Sequence, residues 1–104
     1  MELKDYQSRL KAKRYYIVSQ GLFYENGLGS FTETAYFTSE KEAKKRFNDY
    51  LNKIEYNTPK GSYIKTIIEL VTKRTIGGHD YFNGETILQK ITRGVIIWFK
   101  WNVN

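Results

Sequence analysis

The chain has 104 residues, of which 40% are apolar and 16% aromatic, and its formal net charge is +6. This length suits one domain with a single thin core, and the lack of cysteine excludes disulfides, thiolate zinc sites and cysteine nucleophiles. No apolar run is long enough to span a membrane, and the N-terminus lacks the apolar core of a signal peptide. We expect a soluble, cytoplasmic protein with one domain, 1–104, whose charge favours acidic partners.

The first part of the chain is polar and basic. The stretch 1–13 is either a flexible tail or a short amphipathic helix. Aromatic and β-branched residues then predict a strand over 14–20. The glycine-rich segment 21–30 contains an Asn-Gly pair and is predicted to be a hairpin tip, from which a second strand returns over 31–38. Alternation along the first strand groups three side chains on one face: Tyr15, Ile17 and Ser19.

A helix is predicted over 39–54. Ser39 can accept a hydrogen bond from a free N–H of the first turn, and Glu42 can reach back to Ser39, which is a capping box. Apolar residues recur at helical spacing along one face, whereas lysine and asparagine occupy much of the remaining surface. The apolar face comprises Ala43, Phe47, Tyr50, Leu51 and Ile54. We therefore expect the helix to lie across one face of a sheet.

A break follows the helix at the single proline, Pro59, and at Gly61. Beyond it, 63–76 is the longest β-like stretch, with aliphatic residues and threonines alternating along one face. Its other face mixes charged residues such as Lys65 and Glu69 with aliphatic ones. We expect that second face to be half buried.

Two more strands are predicted over 85–93 and 95–104, after a glycine-rich loop at 77–84. Gly94 either separates these strands or forms a bulge in one bent strand. The order is therefore ββαββ with a potential fifth strand, and the short links favour antiparallel pairing. We predict an α+β fold, in which one helix packs on one face of an antiparallel sheet of four to five strands.

The sequence offers few groups for catalysis. Its single histidine, His79, precedes Asp80, and such a pair supplies at most two of the several ligands that a metal site needs. There is no GxSxG elbow and no phosphate-binding glycine motif. Glu33 and Glu69 lie inside predicted strands, where an isolated carboxylate usually faces solvent. We predict a protein that is not an enzyme and holds no metal or cofactor. The alternative is a small nuclease or other metal-dependent enzyme that uses His79, Asp80 and a strand glutamate.

Basic residues and aromatic rings indicate binding. Lysines on the helix and cations on the later strands are interleaved with rings, as in sheets that bind single-stranded nucleic acid, although strand lysines also discourage edge aggregation. If every second residue of the last predicted strand packs into the core, Ile96 and Trp98 point outward and are exposed. If both faces of that strand are covered, these two residues are buried instead. Further candidate stacking rings are Tyr16 and Tyr63. The predicted partner-binding residues are Trp98, Lys100, Ile96, Lys90, Arg93, Lys73, Arg74, Tyr36, Lys44 and Lys45.

The segment Thr34 to Phe47, TAYFTSEKEAKKRF, joins a strand that ends in an aromatic residue to a capped helix that opens with Glu and Ala. The chain resembles phage- and plasmid-encoded accessory proteins, among them anti-CRISPR and other anti-defence inhibitors. The resemblance rests on this segment and on the general character of a small, cysteine-free, aromatic-rich basic domain. The resemblance implies a non-enzymatic protein that binds and inhibits or modulates a host protein or nucleoprotein complex, such as a CRISPR effector, in the host cytoplasm. Direct binding of DNA or RNA is the alternative, and a homodimer is compatible with either.

Overall fold

The computed structural model describes residues 1–54 and 59–93. Within these ranges, four antiparallel strands form one sheet in the order β2-β1-β3-β4. The strands are β1 Arg14–Tyr24, β2 Gly29–Phe37, β3 Ser62–Ile76 and β4 His79–Thr92, and the helices are α1 Tyr6–Lys11 and α2 Glu40–Asn52. The α+β fold predicted from the sequence, an antiparallel sheet with one helix packed on a face, is confirmed.

The longer helix, α2, begins and packs as its sequence predicts. The Ser39 hydroxyl accepts a hydrogen bond from the Glu42 backbone N–H at 3.4 Å, which satisfies one donor of the first turn. Ala43, Phe47 and Tyr50 form its buried face. Most of the remaining helix surface is exposed and carries charge, so α2 contributes to the core through one side.

The core lies between α2 and the three strands nearest to it. Val18 of β1 and Ile68 of β3 are cross-strand neighbours at the centre of the sheet, and neither is accessible to solvent. Tyr16 is also part of this core, with 6% of its surface exposed. The suggestion that the Tyr16 ring is a surface stacking platform is therefore wrong. The complete core cluster is Tyr16, Val18, Ala35, Phe37, Ala43, Phe47, Tyr50 and Ile68.

The N-terminal stretch packs along the edge of β2. The Leu3 backbone N–H donates a hydrogen bond to the Tyr36 carbonyl at 2.7 Å, and the Leu3 side chain is buried. Asp5 then caps α1 by accepting a hydrogen bond from the Ser8 N–H at 2.7 Å. Of the two alternatives that the sequence left open for this stretch, the short helix is correct.

The first hairpin is tighter than its glycine content predicts. β1 continues to Tyr24 and β2 begins at Gly29, so the tip predicted over 21–30 is wrong in extent. The Tyr24 N–H donates a hydrogen bond to the carbonyl of Leu28 at 2.7 Å, which closes the turn. Gly21 lies within β1, at a register shift where β2 has one extra residue.

β3 and β4 extend beyond the rest of the sheet as a two-stranded ribbon. The last β3 residue in the ladder with β1 is Thr72, whereas the pairing of β3 with β4 continues to the turn. Gly77 and Gly78 form that two-residue turn with φ values of 60° and 82°, a conformation that glycine adopts without strain. The loop predicted over 77–84 is therefore wrong, because 79–84 belongs to β4.

The strand predicted over 95–104, and with it the fifth strand, lies outside the described residues. The same is true of Gly94. No helix in 1–54 or 59–93 is long and apolar enough to cross a membrane.

Candidate binding surface on the sheet face opposite the helix

The face of the sheet opposite α2 is the candidate functional surface, and we call it the open face. Successive strand residues point to opposite faces, so the neighbours of core residues lie on the open face. At its centre, Ser19 and Ile67 are cross-strand partners, with 5% and 7% of their surfaces exposed. On the second face of β3, Ile67 and Val71 are buried and the other four residues are half buried, which agrees with the half burial that the sequence predicts.

An aromatic cluster of Phe23, Phe31 and Tyr63 lies at the end of the open face nearest the first hairpin turn. The Phe23 ring meets Phe31 edge-on with 5.0 Å between centroids, and stacks on Tyr63 with centroids 6.1 Å apart. Each of these rings comes from a different strand, and Phe23 and Tyr63 are register partners. Lys65 places its ammonium nitrogen 4.9 Å from the Phe23 centroid. The cluster therefore combines apolar rings with a cation.

Arg93 connects the end of β4 to this cluster. Its guanidinium carbon lies 5.2 Å from the Tyr63 ring centroid, and its side chain forms an ion pair with Glu25 in the first hairpin turn. Both partners of the ion pair are more than half exposed, so the pair orients Arg93 more than it stabilises the fold. Arg93, predicted from the sequence to bind a partner, thus belongs to the open face.

A second pair of rings lies at the other end of the open face. The ring centroids of Tyr15 and Tyr36 are 6.1 Å apart. The guanidinium carbon of Arg9 in α1 lies 4.3 Å from the Tyr36 centroid. Burial raises the pKa of the Tyr15 phenol, and the neighbouring Tyr36 adds to this effect. Lys73 donates a hydrogen bond from its ammonium group to the Leu10 carbonyl, which also holds α1 here. Two predicted partner-binding residues, Tyr36 and Lys73, therefore lie beside α1.

The other predicted residues are distributed over the molecule. Lys44 and Lys45 are exposed on α2, on the opposite side of the sheet from the open face. Lys90 pairs with Thr66, which is buried on the α2 side, and Arg74 lies on the ribbon. The structure thus does not bring the predicted residues together in one site. Three of them lie outside the described residues: Ile96, Trp98 and Lys100.

The acidic residues and the histidine do not converge. Glu33 lies on the α2 side of the sheet, whereas Glu69 lies on the open face, so these two glutamates cannot meet. His79 and Asp80 are consecutive in β4 and point to opposite sides of the ribbon. The Asp80 carboxylate accepts a hydrogen bond from the Thr75 hydroxyl at 2.6 Å. In the part of the chain that the structure describes, no three His, Asp or Glu residues are grouped to hold a metal ion.

A shallow depression of about 490 Å³ lies between α2 and β2. Arg46 on its wall pairs with Glu2 at 2.8 Å. Burial by itself would lower the pKa of the Arg46 guanidinium. The interactions with Tyr50 and with the Glu2 carboxylate have a larger effect in the opposite direction, so the pKa is raised. Opposite charges thus neutralise each other around the depression. It is lined by Glu33, Arg46, Asp49, Tyr50, Asn52 and Lys53.

Sequence reasoning missed Phe23, Phe31 and Arg9 as members of the surface. The first strand was predicted to end at residue 20, which left Phe23 in a loop. Alternation continued past that point would have placed Phe23 on the same face as Tyr15. Phe31 is aligned with Gly21 only through the bulge, and Arg9 reaches Tyr36 only through the path of α1, so no local signal identifies them.

Comparison of the chain with protein-family models, with curated proteins and with solved structures found no match. Function is therefore inferred from the residues and the geometry of the open face.

Proposed function

We propose that this is a non-catalytic binding protein whose open face contacts an acidic surface of a partner protein. The observation that carries the proposal is the pairing of rings with cations on a sheet face opposite the packed helix. Phe23, Tyr36 and Tyr63 each have a basic side chain within 5.2 Å of the ring centroid. Aromatic and arginine side chains are the residues that most often anchor protein interfaces.

The charge of the open face favours an acidic partner. Lys65, Arg9 and Lys73 contribute positive charge, whereas Glu69 contributes the carboxylate at its centre. A base that stacked on Phe23 would compete with the ammonium group already placed over that ring. The geometry therefore favours a protein partner over single-stranded nucleic acid at this face.

The resemblance to anti-defence proteins supplies the class of partner. We propose a host protein or nucleoprotein complex, with a CRISPR effector as the leading example, bound in the host cytoplasm. Inhibition then results from occupying a surface that the complex needs, so no catalytic group is required of the chain.

A pull-down of the tagged chain from a bacterial lysate, with and without nuclease and followed by mass spectrometry, tests the proposal. The partner should survive nuclease treatment and bind the purified chain in calorimetry. It should be lost with the double variant Phe31→Ala and Lys65→Ala, because Phe31 is 40% exposed and Lys65 carries the adjacent charge. Loss of every partner after nuclease would contradict the proposal.

The matched control is the double variant Lys44→Ala and Lys45→Ala on α2. These lysines are exposed on the other side of the sheet. The control should retain the partner with unchanged affinity. If it weakens binding as much as the open-face variant does, then net charge rather than the open face determines binding.

A further inference from the structure

The ribbon, residues 73–83, has two unlike faces. Cross-strand register places Arg74 opposite Tyr81 and Ile76 opposite His79 on one side, which we call the Arg74 face. No acidic residue of the ribbon lies on this face, because its one carboxylate, that of Asp80, points to the other side, where it accepts a hydrogen bond from Thr75.

The ribbon exposes large apolar side chains that the core does not use. Ile76 and Tyr81 on the Arg74 face are each 56% exposed, and Phe82 on the opposite face is 58% exposed. A two-stranded ribbon without a packed face is of marginal stability in water. Such side chains at its tip therefore indicate a contact surface.

Four basic residues surround the point where the ribbon leaves the sheet, and we call them the basic collar: Lys11, Lys13, Arg14 and Lys73. The Lys73 backbone N–H donates a hydrogen bond to the Lys13 carbonyl at 2.7 Å, which joins the two segments. Arg14 pairs with Thr72, the residue before Lys73. Within the described ranges, none of the four takes part in an ion pair with a carboxylate. The collar therefore presents uncompensated positive charge.

We propose that the ribbon enters the major groove of duplex DNA with its Arg74 face toward the base edges, while the basic collar contacts the phosphates. The groove of B-form DNA is about 12 Å wide and admits a two-stranded β-ribbon. Arginine recognises guanine and asparagine recognises adenine in this groove, and apolar groups contact the thymine methyl. Arg74, Asn83 and Ile76 supply these three chemistries on one face.

Duplex DNA fits the ribbon better than other occupants do. The major groove of A-form RNA is too narrow for side chains to read. A second copy of the chain or an apolar protein groove would cover Ile76 and Tyr81 but would leave the collar without countercharge. The ribbon and the collar share only Lys73 with the open face. The variants that test this inference leave Lys73 unchanged, so its outcome can be told apart from that of the partner proposed for the open face.

Fluorescence anisotropy of the purified full chain tests the inference. The probe is a labelled, mixed-sequence DNA duplex of two helical turns, titrated over a series of potassium chloride concentrations. The same sequence as duplex RNA and as single-stranded DNA provides the comparison. We expect the DNA duplex to bind most tightly, with an affinity that falls linearly on logarithmic axes as salt increases.

The collar variant Lys11→Ala with Lys13→Ala should bind duplex DNA about tenfold more weakly, with a salt slope smaller by about two, because two phosphate contacts are lost. The charge-matched control, Lys44→Ala with Lys45→Ala, should leave both quantities unchanged. The ribbon variant Ile76→Ala with Tyr81→Ala should weaken binding at every salt concentration without changing the slope. All six residues are exposed, so the variants should fold, as circular dichroism would show.

Four results would overturn the inference. The first is absence of salt-dependent binding to duplex DNA by the unaltered chain. The second is an equal loss with the α2 control, and the third is tighter binding of duplex RNA or single-stranded DNA. The fourth is a dimer in sedimentation that the ribbon variant converts to monomers, because the ribbon would then serve self-association.

Discussion

Arg9 of α1 lies over the ring of Tyr36 in β2, with 4.3 Å between the guanidinium carbon and the ring centroid. α1 has six residues and buries none of them, so its own packing contributes little to its position. The Arg9–Tyr36 contact and the hydrogen bond from Lys73 to Leu10 hold α1 at one end of the open face. These contacts also bring the basic collar and the open face to neighbouring parts of the surface.

Replacing Arg9 should therefore release α1 without unfolding the sheet. An exposed cation–π contact is worth about 0.5–1 kcal/mol, so Arg9→Ala should lower the melting temperature by only about 2–5 °C. NMR should show altered Tyr36 ring shifts and faster amide exchange in α1. Arg9→Lys, which keeps the charge, should give a smaller change. A large fall in thermal stability would mean that α1 stabilises the core.

The pH dependence of α1 should follow Asp5. Hydrogen bonds from Ser8 hold the pKa of the Asp5 carboxyl below its ordinary value of 3.8. The folded state thus favours the ionised carboxylate. The contribution of this carboxylate to stability is fully present above the ordinary pKa of 3.8, and it is lost as the pH falls through the lower pKa of the folded state. Below about pH 4, the Ser8 amide signal should move, and its protection from exchange relative to an unstructured peptide at the same pH should fall. Asp5→Asn keeps a capping oxygen and should abolish this pH dependence; an unchanged dependence would assign it to another group.

Truncation at the centre of the core should be costly. Ile68 is fully buried between α2 and its strand neighbours, so Ile68→Ala should lower the free energy of unfolding by about 2–5 kcal/mol. Urea denaturation measures the change. The same substitution at Ile76, which is 56% exposed on the ribbon, is the control and should stay within about 0.5 kcal/mol. Equal effects at both positions would contradict this description of the core.

The bulge between β1 and β2 should tolerate no side chain at residue 21. A Cβ atom there would fall 2.5 Å from the Phe31 Cα and would collide with the Ser30 carbonyl, so the backbone must move. We expect Gly21→Ala to cost at least about 1–3 kcal/mol in urea denaturation and to speed exchange of β2 amides. In the control Gly84→Ala, the nearest atom is 3.7 Å away, which is an ordinary contact. A milder effect at residue 21 than at 84 would contradict the predicted clash.

Local signals determined much of the fold. The capping box at Ser39 predicts the start of α2, and the helical spacing of Ala43, Phe47 and Tyr50 predicts its buried face, because both depend on residues within a few positions. Strand alternation likewise separates Tyr15 from Tyr16, since side-chain direction follows from the extended backbone alone. The antiparallel α+β architecture followed from these elements and their short connections. Trp98 lies outside the described residues, so its predicted role in binding a partner stays a prediction.

Tertiary structure alone decided where the strands end and which rings meet. Gly21 and the segment 79–84 look like loops in isolation, but hydrogen bonding to β3 extends β1 and β4 through them. Phe23 meets Phe31 only because a bulge sets their register, and Tyr36 meets Arg9 only because α1 passes beside β2. Pairing register is a property of two distant segments together, so neither segment encodes it alone. The sequence determined the faces of the elements, and the register between strands assembled the open face and left the ribbon projecting beyond it.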